Sequence, residues 1–192
     1  MIYKTLYLFS IPLLFLLLLL GCSQSDTSLL GFGHSPLLHA IESGDTTAVR
    51  TLLNKGANPN EADDLGWSAL MVAAGKGYTD IAKILIDKGA NVNSYTNIGW
   101  TPLLRAANNQ HPQTVELLIN RGAAINAKTR NGMTALIYAA ENGDVETTKA
   151  LLSKYGIEVN ARDNQGRTAL SIAKLKKKLE LVELLKQHRA RE

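Results

Sequence analysis

From Ser35 onward the apolar positions fall into short helical stripes separated by polar turns, and the pattern returns with a period of 33 residues. Gly66, Gly99, Gly132 and Gly166 mark the beat at intervals of 33, 33 and 34 residues. Each unit opens on a hydroxyl residue followed by leucine, as in Ser68-Ala69-Leu70, Thr101-Pro102-Leu103, Thr134-Ala135-Leu136 and Thr168-Ala169-Leu170, with a weaker copy at Ser35-Pro36-Leu37. Thr101 has the chemistry of an N-cap and Pro102 suits the first helical position, so a helix is predicted to begin there. Leu103, Leu104, Ala106 and Ala107 give it one apolar face, and the paired alanines let a neighbouring helix approach closely. A second stripe with i, i+3, i+4 spacing follows, as in Val49, Leu52 and Leu53 or Ile81, Ile84 and Leu85.

Glycines at 44, 77 and 143 are predicted to close first helices, and those at 56, 89 and 122 to close second helices. Between Asn93 and Thr101 the chain must reverse, and Gly99, like Gly132, suits a tight turn in the left-handed region, so a projecting hairpin finger is expected at each junction. The fourth unit carries one extra residue within Ser153–Ile157, predicted to bulge a loop without breaking the stack. A lone helical hairpin cannot bury its apolar face, so the units must stack, with the first and last as caps. Lys174, Lys176, Lys177, Lys178 and Lys186 put charge where inner units carry small or apolar residues, as befits an end facing water.

The recurring Thr-Pro-Leu start, the paired alanines and the closing glycine with asparagine resemble ankyrin repeats over about four-fifths of the chain. The resemblance implies a mainly α fold, an ankyrin-repeat solenoid of about five stacked helix-turn-helix units joined by β-hairpin fingers. Approximate repeats fall at 35–63, 64–96, 97–129, 130–163 and 164–192.

Ahead of the repeats, residues 1–21 carry one charge, Lys4, then an apolar run of fifteen residues from Leu6 to Leu20, interrupted only by Ser10 and Pro12, and then Gly21-Cys22. The run is shorter than the roughly 20 residues that span a bilayer, which favours a cleaved export signal. Leu19-Leu20-Gly21-Cys22 resembles the lipobox of bacterial lipoprotein signal peptides, although Leu20 stands where a small residue is usual. The resemblance implies lipidation of Cys22 and membrane attachment through it; the other reading is a free thiol beside an uncleaved anchor. Ser23 implies sorting to the outer membrane, hence the periplasmic face of the bacterial cell envelope. Residues 22–34 then read as the lipidated cysteine and a short tether. Cys22 is the chain's sole cysteine, so no intrachain disulfide can form.

Without the signal the formal charge is +3, and the excess sits from Lys174 onward, where seven basic residues face three acidic ones. That tail lacks the interleaved aromatics of a nucleic-acid surface, so no nucleic acid is expected as a partner. A solvated cap, or contact with anionic lipid, cell-wall polymer or an acidic protein, remain as readings of it. His34, His39, His111 and His188 show no paired ligand spacing, so neither metal nor cofactor is expected. His111 takes a place where ankyrin units often carry a hydrogen-bonding histidine, and His39 is expected to pack. No nucleophile elbow, phosphate loop or dinucleotide fingerprint occurs, and Asp63-Asp64 sits at the base of a finger, where turn chemistry accounts for it. Catalysis is not expected.

Ankyrin stacks bind proteins through the fingertips and the exposed face of the first helices, which line a concave surface. Carried over by alignment, the residue after each repeat glycine is His34, Trp67, Trp100, Met133 and Arg167. Trp67 and Trp100 therefore share a position, expected about 10 Å apart by analogy with packed helices. Leu65, Tyr95 and Ile98 would widen an apolar patch, with Asp64, Asn97, Arg130, Asn131, Asn164 and Gln165 as its rim. Lys76, Asn108, Asn109, Glu141 and Asn142 occupy variable first-helix positions. Two readings of the tryptophans stand: a partner-binding row, or a clamp that joins adjacent hairpins. The expected protein is thus a monomeric, membrane-anchored, non-enzymatic adaptor that supports, localises or neutralises an envelope protein. The alternatives are a structural lipoprotein gripping cell wall or anionic lipid through its basic C-terminal cap, and a secreted host-directed ankyrin protein.

Overall fold

The computed structural model describes residues 35–191; the signal segment, Cys22, the tether and His34 lie outside the described residues. Ten short helices follow one another in five pairs: α1 (Pro36–Glu42) with α2 (Thr46–Asn54), α3 (Ala69–Gly75) with α4 (Thr79–Asp87), α5 (Pro102–Asn108) with α6 (Pro112–Asn120), α7 (Ala135–Asn142) with α8 (Val145–Leu152), and α9 (Ala169–Leu175) with α10 (Leu179–Gln187). Every first helix starts where the hydroxyl residue caps it. Ser35, Ser68, Thr101, Thr134 and Thr168 each accept from the backbone N–H three residues on, satisfying a donor that the helix leaves orphaned.

The pairs pack into two rows, α1, α3, α5, α7 and α9 in one and α2, α4, α6, α8 and α10 in the other. Leu70, Leu103, Leu104, Leu136 and Leu170 fill the space between the rows, with Ile81, Leu85, Val115, Leu118, Leu151 and Leu185 facing them from the second row. The alanine pairs at 73–74, 106–107 and 139–140 have no solvent exposure, because they lie where one first helix meets the next.

The fingers correct one expectation. Each is a tight turn closed by a narrow backbone pair, as where Thr129 N donates to Met133 O at 3.0 Å and Gly132 N to Thr129 O at 2.8 Å. No β-strand occurs among the described residues; an isolated bridge joins Ala62 and Ser68. The fingers are too short for a ladder, and their outward backbone groups bond instead to the next finger: Arg130 N to Ile98 O at 2.9 Å and Asn164 N to Asn131 O at 3.0 Å.

A second seam runs along the far ends of the units. Asn93 Nδ2 donates to Gly122 O at 3.1 Å while its Oδ1 accepts from Ala124 N at 2.7 Å. Asn60, Asn126 and Asn160 make the same two bonds to their own following units. The sequence marks these asparagines only as turn residues; their pairing across units emerges from the stack. Asn93→Ala removes both bonds at an exposed seam and is expected to cost about 1–2 kcal/mol in urea unfolding.

Tyr155 lies in the loop that takes up the extra residue of the fourth unit. It stands fully exposed in the loop between Lys154 and Gly156, and Asn126 still reaches Gly156 O at 2.7 Å, so the bulge leaves the seam closed. At the end of the first helices, Gly44, Gly77 and Gly143 hold φ between +70° and +77°, and Gln110 and Lys177 are forced into the same region at +61° and +55°. Gln110→Gly relieves that strain and should stabilise the protein by about 1 kcal/mol, read as a rise in thermal midpoint.

Candidate functional site

The fingertips and the first helices form one continuous face. Trp67 and Trp100, on adjacent fingers, are half-buried with ring centroids 6.3 Å apart and planes tilted by 34°. They stand closer than the helix spacing because each ring leans over the first-helix row. Tyr138 of α7 extends the pile, stacked on Trp100 at 5.0 Å and 22°. Arg105 of α5 lies over both indoles, its guanidinium carbon 4.9 Å from the Trp67 centroid and 5.8 Å from that of Trp100, within cation–π range.

Arg105 and Tyr138 were not among the sequence candidates, although a signal existed. Counting from the capping residue, His39, Val72, Arg105, Tyr138 and Ile172 share one variable position of the first helix. Comparing that column across units would have found them. His39 also corrects an expectation: it is exposed, not packed.

The structure distributes the sequence candidates unevenly. Leu65, Tyr95 and Ile98 are exposed by 62%, 76% and 43%, an apolar cluster on two fingertips beside the tryptophans. Asp64, Asn97, Arg130 and Asn131 are exposed around it, and Lys76 is exposed at the end of α3. Met133 does not continue the row: at 6% exposure it belongs to the core, although its finger closes with the same backbone bonds as that of Trp100. The amides at the ends of α5 and α7 make two bonds between units and one within the third unit. Asn109 Nδ2 donates to Gly75 O at 2.6 Å, Asn142 Nδ2 to Asn108 O at 2.7 Å, and Asn108 Nδ2 to Asn109 Oδ1 at 2.9 Å. Arg130 Nη2 likewise donates to Asn97 O at 3.0 Å. Beyond Tyr138 a shallow cleft is lined by Asn131, Glu141, Asn164, Gln165 and Arg167.

His111 performs the structural task its position implies, with Nε2 3.1 Å from Gly75 O. Asp63 is turn chemistry too: its Oδ1 accepts from Leu65 N at 2.9 Å and Trp67 N at 2.8 Å. Thr96, Thr129 and Asp163 hold the later fingers in the same way. Burial raises the Tyr138 phenol above its ordinary value, with the Glu141 charge adding to it against a hydrogen bond with Thr129. Burial also lowers the Arg105 guanidinium.

Asp163 is the best-held carboxylate on the face. Burial would raise it, but the Arg167 N–H, the Arg167 guanidinium at 2.7 Å and the Gln165 N–H together hold it below its ordinary 3.8. A depressed folded value means that this stabilisation is present above the unfolded carboxyl range and disappears as pH falls through the folded one. Asp163→Asn should therefore cost about 1–2 kcal/mol at neutral pH. Urea midpoints of the two proteins are expected to converge below the ordinary carboxyl value of 3.8.

Stacked hairpins with a fingertip row define a repeat scaffold that presents one continuous face. The chain belongs to the ankyrin repeat family: the model for ankyrin repeats (3 copies) matches residues 9–96 and 94–163. Proteins of this kind are typically non-catalytic interaction scaffolds, and the fold is that of a protein–protein interaction module. No curated protein matches the chain. The fifth unit lies beyond the matched residues, yet its two helices pack like the others. It departs in the glycines: Arg189 holds positive φ where every preceding unit carries glycine, and Lys177 does so where glycine stands in all but the third unit, which has Gln110.

Proposed function

We propose that this protein is a lipid-anchored adaptor of the bacterial cell envelope that holds a protein partner through its finger and first-helix face. The observation that carries the reading is the half-exposed pile of Trp67, Trp100, Arg105 and Tyr138 beside the exposed Leu65, Tyr95 and Ile98. Aromatic side chains dominate interface energetics because they bury much area with few rotatable bonds, and arginine joins them through its planar, pre-organised fork of donors. Apolar side chains clustered on neighbouring fingertips also mark an interaction surface more than isolated ones do.

Anchoring rests on Leu19-Leu20-Gly21-Cys22 and on Ser23 after it, which favour a lipidated Cys22 at the periplasmic face of the outer membrane. Two or more acyl chains would hold the protein firmly. In that setting the bound protein is an envelope enzyme to be supported or localised, or a toxin to be neutralised.

A photo-crosslinking residue at position 95, in intact cells, tests the binding half of the reading. The same residue at position 155, more exposed still but on the loop after α8, is the control. A discrete adduct from 95 and none from 155 supports it; no adduct from 95, or the same adduct from both, defeats it. For the anchor, Cys22→Ser should move the protein from membrane to soluble fractions.

One observation favours a second reading. Leu175 and Leu179 are exposed by 73% and 77% and flank Lys176, Lys177 and Lys178 on the last unit, a combination suited to an anionic lipid surface. Sedimentation with anionic vesicles, lost when the three lysines are neutralised, would favour it.

A further inference from the structure

Arg105 is the anomaly of the face. Arg121 and Arg167, also half-buried, each hold a carboxylate, Asp87 and Asp163 respectively, at 2.7 Å. Arg105 holds none among the described residues, and its Nε is buried without an acceptor. A guanidinium carries five N–H donors and stays cationic, so π faces alone leave its outer edge without a counter-charge.

The surroundings are shaped around that arrangement. Gly75 on α3 leaves the room: a methyl group there would sit 3.0 Å from both Nε and Nη2 of Arg105. Trp67 and Trp100 hold the guanidinium within cation–π range, and exposed Leu65, Tyr95 and Ile98 stand on the same two fingers as those rings.

Resting on the proposed binding face, we infer that Arg105 is the subsite for a carboxylate side chain of the partner, an aspartate or glutamate flanked by apolar residues. The fork of a guanidinium matches a planar carboxylate, and the low-dielectric flank of two indoles strengthens the pair. The flanking apolar residues then cover the fingertip cluster. A nucleic acid or other polyanion fits less well, because Asp64 and Glu141 on the same face would repel a run of charges.

Trp67 and Trp100 are the only tryptophans of the chain, so intrinsic fluorescence reports on this site directly. The probes are two pools of end-blocked peptides, Ser-X-Glu-X-Ser and Ser-X-Gln-X-Ser, with X drawn from Leu, Val and Phe. The full chain should bind the glutamate pool about tenfold more tightly than the glutamine pool. Added salt should narrow the difference. Arg105→Gln should abolish the preference, and Gly75→Ala, which keeps the charge but displaces it, should weaken it. Arg105→Lys, which retains charge without the fork, serves if the glutamine variant fails to fold and should likewise lose most of the preference.

Equal binding of both pools, or a preference that survives Arg105→Gln, would overturn the carboxylate subsite while leaving the binding face intact. No response to either pool also overturns it. The crosslinking result at position 95 then decides the face separately.

Discussion

Gly132→Ala is expected to destabilise the stack by about 2–4 kcal/mol, whereas Gly166→Ala, at the same turn position, should cost only about 1 kcal/mol. Both glycines hold left-handed backbone, φ +77° and +76°, so the conformational penalty is shared. What differs is the neighbour. A methyl group at 132 would stand 2.9 Å from Asn164 N and 3.0 Å from Asp163 Cα, atoms of the next finger's backbone that cannot rotate aside, and nothing lies within 4 Å of one at 166. The difference between the two variants thus isolates finger-to-finger packing from turn strain. Repeat stacks lose strict two-state behaviour when one interface weakens, so helical circular dichroism and tryptophan emission should be followed together. Equal losses in both variants would mean that the fingers do not support one another.

Replacing Trp67 and Trp100 together by alanine should cost about 3–5 kcal/mol of partner affinity and about 2–4 kcal/mol of stability. The rings touch each other, Arg105 and Tyr138, so they contribute to unit-to-unit packing as well as offering a surface. Their contact also makes the single losses non-additive. Trp100→Ala should be the more damaging single change to stability, because Trp100 alone bridges Trp67 and Tyr138. A double variant that keeps its helical signal but loses the partner fits the binding reading. Unfolding of the double variant, with no folded but binding-deficient state, would instead make the tryptophans a clamp.

Much of the fold was legible because it is encoded within a unit. Thr101 and Pro102 announce a helix start by local chemistry alone, and the alternating stripes of Ile81, Ile84 and Leu85 announce a buried face. The extra residue near Tyr155 follows from the broken period. What stayed hidden depends on the relation between units. Asn93 reads as a turn residue until the next unit's Gly122 and Ala124 are placed against it. Met133 shares a repeat position with Trp67 and Trp100 but not their environment, because neighbouring side chains cover it until it joins the core. Arg105 looks like an ordinary exposed helix residue until Gly75, Trp67 and Trp100 converge on it. The fingers were expected to be β-hairpins since their glycines suit a tight reversal, but closure by a single narrow pair leaves no length for strands.

The most direct measurement of the central claim is co-purification after crosslinking in intact cells, with the full chain and its Trp67→Ala/Trp100→Ala variant compared at equal abundance. The expected result is one envelope protein enriched with the parent chain and absent from the variant while the variant's helical content persists. Equal recovery of that protein with both chains would contradict the account.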